Sequence, residues 1–287
     1  MKLNDKTKFL IVGLGLIGGS YAEALHSKGY EVGAIDVKKN AIEYALRKGI
    51  IDHGRDFADG NYVRDFDVVV FALYPHAFID WIKTNQRFFK TGALITDVTG
   101  VKTSVVYEVQ SILRKDVEFI GAHPMAGKET SGVENADACI FDGANYIVTP
   151  TEENTVEAVE TAMEIGKELG FDRISVLSPE KHDEIVGFLS HLTHCIAVSM
   201  MVSKDPDHLK LYSGDSFRDL TRIAKINDEM WSELFLMNKK ELLSQMNLFE
   251  ERFNELKKYI EEDNREKIRE VMRLSTERRK IFDKSED

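Results

Sequence analysis

The segment "IVGLGLIGGS", residues 11–20, places Gly13, Gly15 and Gly18 at G-x-G-x-x-G spacing, behind an apolar run and ahead of a helical pattern. In a dinucleotide-binding turn each glycine has its own physical task. The first permits the tight turn, the second lets the backbone approach a pyrophosphate, and the third allows helix and strand to pack closely. A helix opening at Leu16 and Ile17 then offers free N–H groups and a positive dipole end to the phosphates. The motif alone is weak, and its context carries the reading. "KFLIVG" (8–13) reads as a buried strand and "LIGGSYAEALHSKG" (16–29) as a helix closed by Gly29. "YEVGAID" (30–36) is a second strand ending in Asp36, 18 residues beyond Gly18. A carboxylate there accepts hydrogen bonds from both ribose hydroxyls and repels a 2′-phosphate. This predicts NAD; the nearby Lys38 and Lys39 leave NADP open.

Outward from this segment the same alternation continues. Helical patterns at 39–49, 104–115 and 156–170 are interleaved with strand patterns at 66–74, 92–98, 117–122, 144–150 and 173–178. The expectation is an α/β Rossmann-like domain over residues 1–178, with a parallel sheet covered on both faces. In such sheets ligands lie beyond the carboxyl ends of the strands. The candidates there are "ALYPH" (72–76) with Leu73, "DVTGVK" (97–102) with Asp97 and Thr99, and "GAHPMAGKE" (121–129) with His123 and Glu129. From Ser178-Pro179 onward period-2 patterning all but ceases. Long amphipathic patterns predict an all-α domain over 179–287 whose apolar content suits packing on a second subunit, hence a homodimer.

The 287 residues are 43% hydrophobic and 30% charged, the composition of a globular protein. A net charge of −11 argues against a broad nucleic-acid surface. The two cysteines, Cys139 and Cys195, form no CxxC pair and point to a reducing cytoplasm. Lys2, Lys6 and Lys8 before an apolar run resemble a signal sequence, but Asp5 interrupts them and no small-residue cleavage site follows directly. No uninterrupted apolar run approaches the length of a membrane span.

Single residues are more ambiguous. His123 stands where a strand should stop, with Pro124 holding it away from helical geometry; it reads as a general base or as a loop histidine. At 100° per residue Asp183, Gly187, Ser190 and His194 share one face of the long helix that opens at Pro179, with His191 one step round. Apolar neighbours imply partial burial for Arg222, whose planar fork suits a carboxylate; the bland alternative is an ion pair with Asp219.

The ordered series GLGLIGGS, D-V-x-x-V-K, G-x-HPMAG-x-E-x-SG, HD, SHLxH, DxTRIA and a tryptophan resembles the prephenate/arogenate dehydrogenases of tyrosine biosynthesis, over roughly residues 8–240. The resemblance implies an NAD(P)-dependent hydride transfer from the ring C4–OH of a cyclohexadienol. The ring carboxylate leaves as CO2 and the ring aromatises. It also implies a Rossmann-like domain followed by a helical dimerisation domain. It makes His123 the catalytic histidine, Glu129 a group that gates or polarises the pocket, and Arg222 the binder of the ring carboxylate. His182, Asp183, His191 and His194 become part of the active-site helix, and Trp231 an aromatic near the pocket. It argues against a metal held by His191, His194 and Asp183, since the family uses none.

Three positions depart from the family pattern. Gly100 stands where many members carry a serine, with Thr99 as a substitute hydroxyl. Thr193 replaces a proline, which predicts a straighter helix. Asp215, in "SGDSFRD", stands where many prephenate-using bacterial members have glycine. A carboxylate there suits the ammonium of arogenate, so arogenate activity is expected. The competing classes are a β-hydroxyacid dehydrogenase, a pyrroline-carboxylate reductase, and a dinucleotide sensor without catalysis. "HPMAGKE" and "SHLTH" argue against the first two, and the presence of His123 and Arg222 against the third.

Overall fold

The computed structural model describes residues 2–205 and 207–283. Strands β1 (Lys8–Val12), β2 (Glu31–Ile35), β3 (His53–Arg55), β4 (Val68–Phe71), β5 (Leu94–Asp97), β6 (Glu118–Pro124), β7 (Asn145–Thr149) and β8 (Arg173–Val176) form one sheet in the order 3-2-1-4-5-6-7-8. Through β6 all neighbours are parallel. The expected all-parallel sheet fails at β7, which pairs antiparallel to β6, with Gly121 opposite Thr149. The cause is the connection. Residues 125–144 hold only short 3-10 turns and no crossover helix, so the chain folds straight back. The three-residue β3 has no apolar run to announce it.

Successive residues of the central strands enter opposite cores. On one face Phe9, Ile11, Val68 and Val70 pack with α1 (Leu16–Ser27), α2 (Lys39–Lys48) and, farther along, α6 (Val156–Glu168). On the other, Leu10, Val12, Val69 and Phe71 pack with α4 (Pro75–Asn85) and α5 (Thr103–Ile112). A short α3 (Gly60–Val63) precedes β4, its N-terminus capped by Asp59. This two-sided burial explains why the strand patterns read as continuous apolar runs.

Beyond the sheet, α7 (Pro179–Val186), a π-helical turn (Gly187–Leu192) and α8 (Thr193–Val202) run as one helix, Pro179–Val202. Contrary to the sequence expectation, this helix is long and apolar enough to cross a membrane, by length and composition alone. Its polar side chains His182, Asp183 and His191 are nevertheless buried and bonded within the protein. Thr193, at the position of the family proline, opens α8 directly after the π turn. The π turn places Asp183, Gly187 and His191 on one buried face and moves Ser190 off it. After α9 (Asp215–Thr221), the pattern read as one long helix is broken at Asn238 into α10 (Asp228–Met237) and α11 (Lys239–Glu261), followed by α12 (Arg265–Arg279).

Residues 1–239 form one compact unit and 240–287 another. Of the helices in the first unit, α7 and α10 pack on the sheet domain, and α8 and α9 pack on one another. Leu234, for instance, lies in the same core as Ile95 and Val101.

Candidate active site

The glycine loop follows β1 at the point where the strand order reverses between β1 and β4. Gly13 adopts φ +100°, and a Cβ there would lie 2.4 Å from the Ala72 carbonyl oxygen and 2.9 Å from Leu73 Cδ2. At Gly18 a Cβ would fall 1.9 Å from the Gly13 carbonyl oxygen. At Gly15 it would meet nothing within 4 Å. The first and third glycines are thus required by packing, and the second faces open space. Among the described residues no side chain caps the N-terminus of α1, so the N–H groups of its first turn, which starts at Leu16 and Ile17, have no side-chain partner there. Asp36 braces the loop: its Oδ2 accepts from Leu14 N at 2.7 Å and its Oδ1 from Lys38 N at 2.8 Å. A glycine cradle open at Gly15, an uncapped helix end and a carboxylate at the tip of β2 fit a dinucleotide.

His123 sits at the end of β6, on the same edge of the sheet as the loop. Its Nδ1 lies 2.8 Å from His182 Nε2, and His182 Nδ1 lies 2.8 Å from Asp183 Oδ1. Asp183 also accepts from Lys102 N and Thr103 N, both at 2.8 Å, which caps the start of α5. Burial would raise the Asp183 carboxyl, but His182 and Thr103 hold it below its ordinary value. Burial, then the neighbouring His182 and Lys102, keeps the His123 pKa well below that of a free imidazole. The pKa of His182 is lowered by burial against the pull of Asp183.

Beneath this chain lies a buried ion pair between Asp97 and Lys102, the lysine having no role assigned from sequence. Lys102 Nζ is fully buried, 2.6 Å from Asp97 Oδ2 and 3.2 Å from Thr99 Oγ1. Burial lowers the pKa of the lysine, and Asp97 opposes that. Asp97 Oδ1 accepts from Ala122 N at 3.1 Å, tying β5 to β6 next to His123. Two of the expected site residues lie within this buried cluster. Asp97, expected at the cofactor, is fully buried and holds Lys102 and the β6 backbone. Thr99, expected to stand in for the family serine, is buried with its hydroxyl against Asp97 and the Val101 carbonyl. The space of that serine stays open: a Cβ on Gly100 would lie 3.4 Å from Leu234 Cδ1 and 3.9 Å from His123 Cε1.

Farther along the long helix, His194 stacks on Trp231 with centroids 3.7 Å apart, and its Nδ1 lies 2.8 Å from the Ser190 carbonyl oxygen. His191 is edge-on to Trp231 and Phe235. Asn238, absent from the sequence reading, donates through Nδ2 to the Asp183 carbonyl at 2.9 Å. That assignment makes the same NH2 the donor to His191 Nδ1 at 3.2 Å and leaves the imidazole proton on Nε2. Arg222 is exposed rather than partly buried, and it pairs with Glu129 on the loop after His123, not with Asp219. Asp215 is exposed and pairs with Arg218 one turn on.

The buried histidines carry a pH prediction. Burial pushes the His191 pKa down to about 4. Between about pH 6.5, where a free imidazole titrates, and that value, the unfolded chain binds a proton the folded one does not. Stability is therefore full above pH 6.5 and falls as the pH drops through the window, by at most about 3 kcal/mol from this residue. Asp183, with its depressed pKa, adds its loss only below about pH 3.9. A urea midpoint that stays flat from pH 7 to 4.5 refutes the assignment.

Two family models match the chain. The nucleotide-binding domain of prephenate dehydrogenase covers residues 21–174, and the prephenate dehydrogenase dimerisation domain covers 178–274. Prephenate dehydrogenase of Bacillus subtilis is 29% identical over 270 residues, 92% of this chain and 72% of its own. Cyclohexadienyl dehydrogenase of Zymomonas mobilis is 30% identical over 249 residues, 83% of each chain. Among solved structures, prephenate dehydrogenase of Aquifex aeolicus in complex with hydroxyphenyl propionate and NAD+ superposes with a TM-score of 0.89 at 32% identity, covering 99% of this chain and 100% of that one. With a nucleotide cradle, a histidine beside it and both domains matched, the chain belongs to the prephenate/arogenate dehydrogenase family of NAD(P)-dependent oxidoreductases.

Proposed function

We propose that this enzyme oxidatively decarboxylates both arogenate and prephenate, with NAD as the hydride acceptor. The observation that carries the reading is the 2.8 Å contact between His123 Nδ1 and His182 Nε2, which leaves His123 Nε2 without a partner among the described residues, at the end of β6 on the sheet edge that carries the glycine loop. When bound, oxidised nicotinamide accepts the hydride from ring C4. His123 Nε2 takes the C4 hydroxyl proton. Arg222 leaves Glu129 to hold the ring carboxylate, and Glu129 gates that exchange. His191 and His194 face the substrate side chain, with Trp231 as the wall behind them. Leu16, Ile17, Leu73 and the three glycines line the cofactor, and Asp36 favours NAD over NADP.

We further infer a working division at 178/179, with the helical part forming a homodimer. Phe188, Leu189, Met200 and Val202 on the long helix and Phe249 and Phe253 on α11 are exposed apolar side chains of the kind a subunit contact covers. Both cysteines are free thiols, in keeping with a reducing cytoplasm.

Asp215 is the group expected to select the amino-bearing substrate. Because it shares its charge with Arg218 and is exposed, its discrimination is small, about fivefold, the worth of one surface ion pair. The test is NADH formation from arogenate, prephenate and a 3-hydroxyacid side by side. Turnover of both cyclohexadienols, with the arogenate/prephenate ratio of kcat/KM falling about fivefold in Asp215→Asn, supports the reading. Preferential turnover of the 3-hydroxyacid overturns the activity, and an unchanged ratio overturns the role of Asp215.

A further inference from the structure

We propose that His182 and Asp183 are positioning residues of a three-member proton relay, which sets the tautomer of His123 and carries the charge that arrives when it takes the substrate proton. The inference rests on the reading of His123 as the base. It follows from donor and acceptor chemistry. Asp183 accepts two backbone N–H bonds, at Oδ1 and Oδ2, and is held as a carboxylate. The His182 nitrogen that faces it, Nδ1, must donate. Nε2 of His182 then has only a lone pair, so His123 Nδ1 must be the donor across their 2.8 Å contact. That leaves the lone pair of His123 on Nε2.

The step balances without a further reactant. As hydride leaves C4, the substrate O–H bond breaks and the His123 Nε2–H bond forms. The positive charge spreads over His123 and His182 towards Asp183. When the carboxylate leaves as CO2, its bonding electron pair aromatises the ring and places negative charge on the C4 oxygen. His123 Nε2–H returns its proton there, and the relay is reset.

Interposing His182 also answers an electrostatic problem. A carboxylate directly behind His123 would stand near the site for an anionic substrate. Here it stands one imidazole farther back, fixed by the backbone of α5. The other charged or titratable groups that face the pair are Lys102 and Asp97 beneath it and His191 beside His123.

Asp183→Asn removes the carboxylate but also disturbs the cap of α5, so the decisive variants are at His182, which makes no capping bond. Leucine there fills the space and gives His123 Nδ1 no acceptor. Glutamine offers an acceptor to His123 and a donor to Asp183, so it preserves the tautomer without carrying charge. The expected result is a fall in kcat of at least about 100-fold for His182→Leu and Asp183→Asn, as when the orienting carboxylate of a catalytic histidine is lost. His182→Gln is expected to recover to within about tenfold of the parent enzyme, with KM and the NAD+ Kd of all three variants within about threefold. A kcat for His182→Leu within about threefold of the parent, or no faster turnover by His182→Gln than by His182→Leu, overturns the relay. His123→Asn, assayed in parallel, separates the two failures. If it turns over normally, the base assignment itself is wrong. If it is inactive while His182→Leu is not, only the relay falls.

Discussion

His123→Asn is expected to lower kcat by about 10³-fold, within the range a general base contributes, while the Kd for NAD+ stays within about threefold. Asparagine is the informative substitution because its amide NH2 can replace Nδ1–H as the donor to His182 Nε2. The chain from Asp183 through His182 therefore survives, and only the basic lone pair is lost. The depressed pKa of His123 keeps that lone pair available at neutral pH, with burial as the chief cause. Rapid-quench kinetics with saturating substrate and cofactor, alongside cofactor binding followed by fluorescence, provide the check. A kcat within about tenfold of the parent would show that another group takes the proton.

The second large effect divides two glycines that look equivalent in sequence. Gly18→Ala puts a methyl group 1.9 Å from the Gly13 carbonyl oxygen and 2.9 Å from Ala72 Cβ. Neither neighbour is the end of a flexible side chain, so α1 must move off the sheet. The expected cost lies at the upper end of the ~1–3 kcal/mol typical of overpacking, with a Tm lower by about 6–12 °C. Gly15→Ala should behave in the opposite way. Gly15 has φ −86° and ψ −162°, extended backbone that alanine adopts readily, and its Cβ meets nothing within 4 Å. Its Tm should stay within about 2 °C of the parent, while NAD+ affinity falls about tenfold or more, because the methyl group occupies the space of the pyrophosphate. Calorimetry and cofactor titration of the two variants test the pair. A destabilised Gly15→Ala variant that still binds NAD+ normally would mean that the cradle is not where the dinucleotide lies.

Much of this was legible in the sequence, for identifiable reasons. The glycine loop could be read because its three residues answer to local constraints of turn and packing. Strands buried on both faces give continuous apolar runs, and the long helices give periodicity. His123 was legible because it ends such a strand and lies in a specific motif. Other features were hidden because they are relations between distant residues. The cap of α5 is one of them, since Asp183 holds Lys102 N and Thr103 N from 81 and 80 residues away. The π turn moves His191 onto the buried face, where a fixed 100° per residue puts Ser190. Asn238 gave no signal because it sits inside an apparently continuous helical pattern.

The sequence by itself determined the nucleotide cradle, the order of most elements, the helical character of the C-terminal part and the family. These depend on residues near one another in the chain or on a motif order specific enough to stand alone. Only the tertiary structure decided which groups surround His123. The contacts that set its tautomer and protonation join residues 59 apart for His123–His182 and 81 apart for Lys102–Asp183, and the exposed pair Arg222–Glu129 spans 93. At such separations the partner is chosen by sheet order and helix packing, which no local pattern records.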